Sequence, residues 1–216
     1  MALGDGWSAR GGAVVAVVGV AGALVATLLV RAGRHLGAGP DEVAAVLPGD
    51  ALDAAATVAT TRAIEIAAAP HEVWPWLVQM GYRRGGWYAI DVLERLIGAG
   101  DFLTGGSADR IVPELQDLAV GDRIALSERA HLVVAHLDAP RALVLVLPGG
   151  PLAWVWSFTL HGDTSTRLVV RCRTGARAGW VRPLLPLLEA GHLVMELVQL
   201  HRLRARVEAA SAPARM

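Results

Sequence analysis

Between Ala153 and Leu160 the chain alternates without a break: Trp154, Trp156, Phe158 and Leu160 fall on one face of a strand, and Val155, Ser157 and Thr159 on the other. A face carrying three large aromatic side chains demands an equally large apolar partner. Four more segments of strand character occupy the same half of the chain: Arg123 to Ser127, Leu132 to Leu137, Ala142 to Leu147 and Thr166 to Arg173. Turn-forming runs such as Asp138-Ala139-Pro140-Arg141 and Gly162-Asp163-Thr164-Ser165 separate them at spacings that suit antiparallel hairpins. The partner is expected at the end of the chain, in a long helix from about Leu184 to Ala209. There Ala190, Leu193, Val194, Leu197, Val198 and Leu200 share one side, and Glu189, His192, Glu196, Gln199 and Arg206 the other.

Upstream, Thr61 to Ala67 reads as a strand with Arg62, Ile64 and Ile66 on one face. A helix follows with Val73, Trp74, Leu77, Val78 and Met80 on its apolar side, bent at Pro75 and stopped by Gly81. A second helix is expected over Trp87 to Ile97, then a long loop from Gly98 to Gly121. The order is strand, two helices, a run of antiparallel strands and one long helix. It predicts an α+β fold, a curved antiparallel sheet of six to seven strands wrapped around the C-terminal helix.

The chain's 216 residues do not all belong to that domain. Gly11 to Val30 contains no charge and a single hydroxyl, Thr27. Twenty helical residues reach about 30 Å, the hydrocarbon thickness of a bilayer. The expected division is a tail over 1–10, a transmembrane helix over 11–31, a Gly- and Pro-rich flexible linker over 32–56, the domain over 57–209 and a tail over 210–216. A signal peptide has a shorter apolar core with its positive charge in front, whereas here Arg31, Arg34 and His35 follow the run. One Arg before the run and two after it place the domain on the cytoplasmic side. The small-residue pairs Gly19 with Ala23 and Gly22 with Ala26 occur at chance level in so Gly- and Ala-rich a segment, so they specify no oligomer.

Twenty acids balance twenty bases, every one of them Arg, and zero net charge argues against nucleic acid as a partner. No His or Cys cluster has metal-ligand spacing, and the Gly-rich stretches lack the Lys-Ser or Lys-Thr of a phosphate loop, so neither metal nor cofactor is expected. The lone Cys172 alternates with Arg171 and Arg173 and falls on the apolar face with Leu168 and Val170, as a buried, inert thiol.

Several stretches carry a resemblance. Ala69-Pro70-His71-Glu72-Val73-Trp74, Trp76-Leu77-Val78-Gln79-Met80-Gly81, Gly85-Gly86-Trp87-Tyr88, the run from Ala108 to Gln116, and Glu189-Ala190-Gly191-His192 with Met195-Glu196 are together similar to the SRPBCC, or START-like, superfamily, including its polyketide cyclase and dehydrase-like members. The resemblance covers roughly Thr57 to Glu208 and implies a helix-grip fold with a cavity between sheet and terminal helix. In that setting Trp74, Trp87, Tyr88, Arg110, Trp154, Trp156, Phe158, His192 and Met195 are the expected ligand-binding residues. Tyr88, Asp91, Arg110 and His192 are the candidates for acid-base chemistry, by residue type and by position in the resemblance.

Three functions are compatible with these residues. The first is a membrane-anchored binding protein for a hydrophobic small molecule, such as a lipid, isoprenoid or polyketide. The second is a cyclase or dehydratase-type enzyme in the same cavity, and the third an interaction domain whose core is filled. For His192, flanked by Glu189 and Glu196 one turn away on either side, the carboxylates would favour the imidazolium, which suits a proton donor and a solvated surface stripe alike.

Overall fold

The computed structural model describes residues 28, 30–89 and 106–212; these include none of residues 1–27. The expected transmembrane segment therefore lies almost wholly outside the described residues, as do Asp91 and the helix expected over Trp87 to Ile97 beyond its first three residues. Among the described residues no helix is long and apolar enough to cross a membrane.

Six strands form one antiparallel sheet: β1 (Val58–Ile66), β2 (Arg123–Ala125), β3 (His131–Asp138), β4 (Ala142–Val146), β5 (Leu152–His161) and β6 (Thr166–Ala176). Their order across the sheet is β1-β6-β5-β4-β3-β2, so the first strand pairs with the last. The register sets Thr60 opposite Cys172 and Cys172 opposite Trp156, and it sets Arg62 opposite Val170 and Val170 opposite Phe158. All of these project to the same face, where they meet Leu143, Leu145 and Val134 in the core.

Helix α1 (Pro40–Ala44) precedes the sheet, and α2 (Pro70–Val78) and α3 (Leu185–Ser211) frame it. Pro70 opens α2 where no backbone donor is needed, and the Glu72 carboxylate accepts the Ala69 N–H at 2.8 Å. At its other end the Arg84 guanidinium donates to the carbonyls of Val78 (2.9 Å) and Met80 (3.1 Å), closing the helix C-terminus with a cation. A 3-10 turn, Gly179–Leu184, leads into α3, whose Glu208 accepts the Ala67 N–H at 2.9 Å and so pins the helix to the end of β1. The result is a six-stranded curved antiparallel sheet with a long C-terminal helix against it, as the helix-grip architecture requires.

α3 is turned relative to expectation. Glu196, Gln199, Leu200, Leu203, Val207 and Ser211 are its buried residues, while Val194 is exposed. The face read as a solvated polar stripe points at the sheet, because β1 supplies a buried cation for it: Arg62, wholly enclosed, pairs with the equally enclosed Glu196. The carboxylate's other oxygen accepts the Trp156 indole N–H at 3.0 Å. A buried ion pair with its remaining acceptor satisfied has traded hydration for local partners.

The segment expected to be a flexible linker is folded along its length. It carries a 3-10 turn at Gly33–His35, helix α1 and successive turns. Arg171 of β6 is buried and donates to the carbonyls of Glu42 (2.8 Å), Val43 (2.9 Å) and Ala45 (2.7 Å) and to Asp50 Oδ2 (2.6 Å). Leu47 packs on Ala63 and Val169, and Gly175 brings β6 so close to the Ala55 carbonyl that a Cβ there would lie 1.7 Å from the oxygen. Gly and Pro content correctly excluded a long helix but said nothing about arginines that bind backbone carbonyls.

Candidate functional site

A cavity of about 510 Å³ opens between β1, β6 and β5 on one side and the first half of α3 on the other. That is within the range of sites that enclose a small organic ligand. Its aromatic wall is Trp87, Trp154 and Trp156: Trp87 stacks on Trp156 with ring centroids 5.6 Å apart and planes at 26°, and Trp154 lies 6.0 Å from Trp156. The strict alternation of β5 delivers the second and third of these. Met195, Leu187 and Leu188 line it from α3.

The polar groups at the cavity come from both walls. Thr60, Cys172 and Thr174 come from the sheet, Ser127 from the chain just after β2, and Glu189, His192, Glu196 and Gln199 from α3. Glu196 is neutralised by Arg62 and Glu189 by Arg34, whose Nη2 lies 2.8 Å from Glu189 Oε2. Each of these two charges is thus matched by its partner, and the described part of the lining offers no net charge to a ligand. Burial pushes the Cys172 thiol well above its usual range, with the Glu196 carboxylate adding to the effect, so the sulfur is held as an unreactive thiol.

His192 sits edge-on to two indoles, 5.3 Å from the ring centroids of both Trp154 and Trp156. Burial holds its imidazole below the usual histidine range. The Glu196 and Glu189 carboxylates pull it upward and Arg62 downward, but desolvation dominates. The imidazolium expected from the flanking carboxylates is therefore corrected to a neutral ring. Its Nε2 and the Gln199 Oε1 have no hydrogen-bond partner among the described residues.

Of the nine expected ligand-binding residues, the structure brings Trp87, Trp154, Trp156, His192 and Met195 together around the cavity. Phe158 is core beneath it, and Trp74 packs against the core from α2. Tyr88 is fully buried away from the cavity lining: its hydroxyl accepts from Gln79 Nε2 at 2.8 Å and donates to the Trp76 carbonyl at 3.1 Å, and burial pushes it far above the ordinary phenol range. Arg110 is exposed, and what it contributes is its carbonyl, which accepts from Gln79 Nε2 at 3.1 Å. Of the quartet Tyr88, Asp91, Arg110 and His192, Asp91 lies outside the described residues; of the other three, Tyr88 is structural, Arg110 is on the surface and only His192 meets the cavity.

Glu189, Glu196 and Gln199 were missed because they were assigned to solvent. The available signal was Arg62, a charge on the inward face of a strand, which calls for a buried carboxylate. Gln79 was missed as well. Enclosed in the core, it holds the loop after residue 106 by donating to the Arg110 carbonyl and accepting the Val112 N–H at 3.0 Å.

No protein-family model and no curated protein matches the chain. Among solved structures it is similar to CalU16 from Micromonospora echinospora, at 17% identity over 68% of this chain and 84% of that one, with a TM-score of 0.34. It is similar also to DynU16 of the dynemicin biosynthetic locus, at 19% identity over 70% of this chain and 48% of that one, with a TM-score of 0.41. A START superfamily protein from Mycobacterium smegmatis is similar at 16% identity, over 70% of this chain and 98% of that one, with a TM-score of 0.41.

Proposed function

We propose that this chain is a START-like binding protein for an uncharged hydrophobic small molecule, held between sheet and C-terminal helix and tethered to a membrane through residues 11–31. The observation that carries the reading is the cavity of about 510 Å³, walled by Trp87, Trp154, Trp156 and Met195, whose only charges among the described residues, Glu189 and Glu196, are internally paired. An apolar ligand leaves water for such a lining at a gain of about 25 cal/mol per Å² buried, whereas a charged one would face no counter-ion that is not already taken. The twenty uncharged residues from Gly11 fit the same ligand class, since a bilayer is where molecules of that kind dissolve.

Native mass spectrometry of the full chain, purified in a mild detergent, tests the proposal. The expected result is a retained apolar molecule in the wild type that is lost in Met195→Trp, a variant whose added ring fills the cavity and whose near-ultraviolet circular dichroism reports intact packing. A wild type that carries nothing and binds no uncharged apolar probe, or a Met195→Trp protein that retains as much as the wild type, overturns it. Among the described members of its expected quartet, the cyclase or dehydratase reading finds one group at the cavity, His192.

A further inference from the structure

Ten large apolar side chains are exposed among the described residues, and five of them fall within fifteen residues: Trp180, Leu184, Leu187, Leu188 and Val194. They are spaced at three, four and seven along the 3-10 turn and the start of α3, so Leu184, Leu187 and Leu188 share one helical face. A stripe of this size on an otherwise ordinary surface has a use. Leu187 and Leu188 also line the cavity, so the stripe continues into its mouth.

What covers the stripe follows from chain connectivity. Arg34 is bonded to Glu189, which lies between Leu188 and Val194. Arg34 is also only four residues beyond Val30, the last residue of the uncharged run, and four residues span at most about 14 Å. If the run crosses a bilayer, the bond to Glu189 holds the start of α3 within one short tether of the lipid surface. We infer that the face formed by Trp180, Leu184, Leu187 and Leu188 rests in the bilayer interface and opens the cavity directly toward lipid. An indole is at home at that depth, and the exposed Arg182 on the same turn is positioned for lipid phosphates. The inference rests on the anchor reading of residues 11–31 and adds an orientation to it.

The test uses the full chain in phosphatidylcholine vesicles. Cys172 is buried, so an environment-sensitive fluorophore can be placed selectively at Leu184→Cys, or at Asp163→Cys in the exposed turn between β5 and β6 as a reference. Lipids bearing a shallow nitroxide should quench the probe at 184 several-fold more than the probe at 163. Equal quenching at both sites in protein that floats with the vesicles overturns the orientation and leaves the anchor standing. Protein that fails to float with vesicles overturns the anchor, and the orientation with it. Probe self-quenching at 184 that grows with protein density, without quenching by nitroxide lipid, assigns the face to a second copy and overturns the inference.

Discussion

Trp156 and Glu196 meet across the cavity, indole Nε1 to carboxylate Oε1 at 3.0 Å, one on the sheet and the other forty residues later on the terminal helix. Because Arg62 takes the other carboxylate oxygen, one buried acid ties together β1, β5 and α3. That arrangement, rather than an apolar seam, sets which side of α3 faces inward.

Breaking the pair from either side should therefore be costly. Arg62→Met and Glu196→Leu are each expected to lose about 3 to 5 kcal/mol, because each leaves an unmatched buried charge. The double variant should recover most of that loss. Urea denaturation of the three proteins measures it, and a double variant no more stable than the sum of the singles would show that the pair is not a unit.

His192 gives stability a pH dependence of definite sign. Its folded-state value is lowered, so above about pH 6.5, the ordinary histidine value, both folded and unfolded chains hold it neutral and its contribution is complete. As pH falls below that point the unfolded chain takes up the proton first, and stability declines until the folded value is passed. Wild type should lose more thermal stability between pH 7.5 and 5.5 than His192→Gln. Equal losses in the two proteins would count against a buried neutral ring.

Arg171 holds residues 42 to 50 to the outer face of the sheet through backbone carbonyls and Asp50. Arg171→Lys keeps the charge but loses the planar fork of donors, and it should cost about 3 kcal/mol. Hydrogen exchange should accelerate first in that segment. If protection there is unchanged, the segment is held by Leu47 and its neighbours instead.

Tyr88→Phe separates structure from chemistry. Removing a hydroxyl that joins Gln79 to the Trp76 carbonyl should lower stability by about 1 to 2 kcal/mol while leaving probe binding in the cavity unchanged. Loss of binding at full stability would return Tyr88 to the site.

Much of the sheet was legible because period-two alternation is local. Each of the five strands read after residue 122 starts and ends within three residues of the observed one, and the aromatic face of β5 points where the pattern says. The turn of α3 was not legible, since amphipathicity was judged within the helix while the deciding partner, Arg62, lies 134 residues earlier. The same holds for residues 32–56: their contacts are Arg167, Arg171 and Arg177 of a distant strand and the turn after it, and Gly-Pro content reports only what the backbone cannot do. For the site, the large residues of the wall announce themselves, whereas Tyr88 and Arg110 carried polar atoms whose destinations only the fold reveals.

The pairing of β1 with β6 also governs when this domain comes into being. Val58 waits for Thr174, more than a hundred residues downstream, before either has its neighbour. Loop closure over such a span is slow, and until it occurs the tryptophans of β5 have neither a finished floor nor a helix above them. A chain emerging from the ribosome therefore holds its stickiest surface open until β6 and α3 have been made.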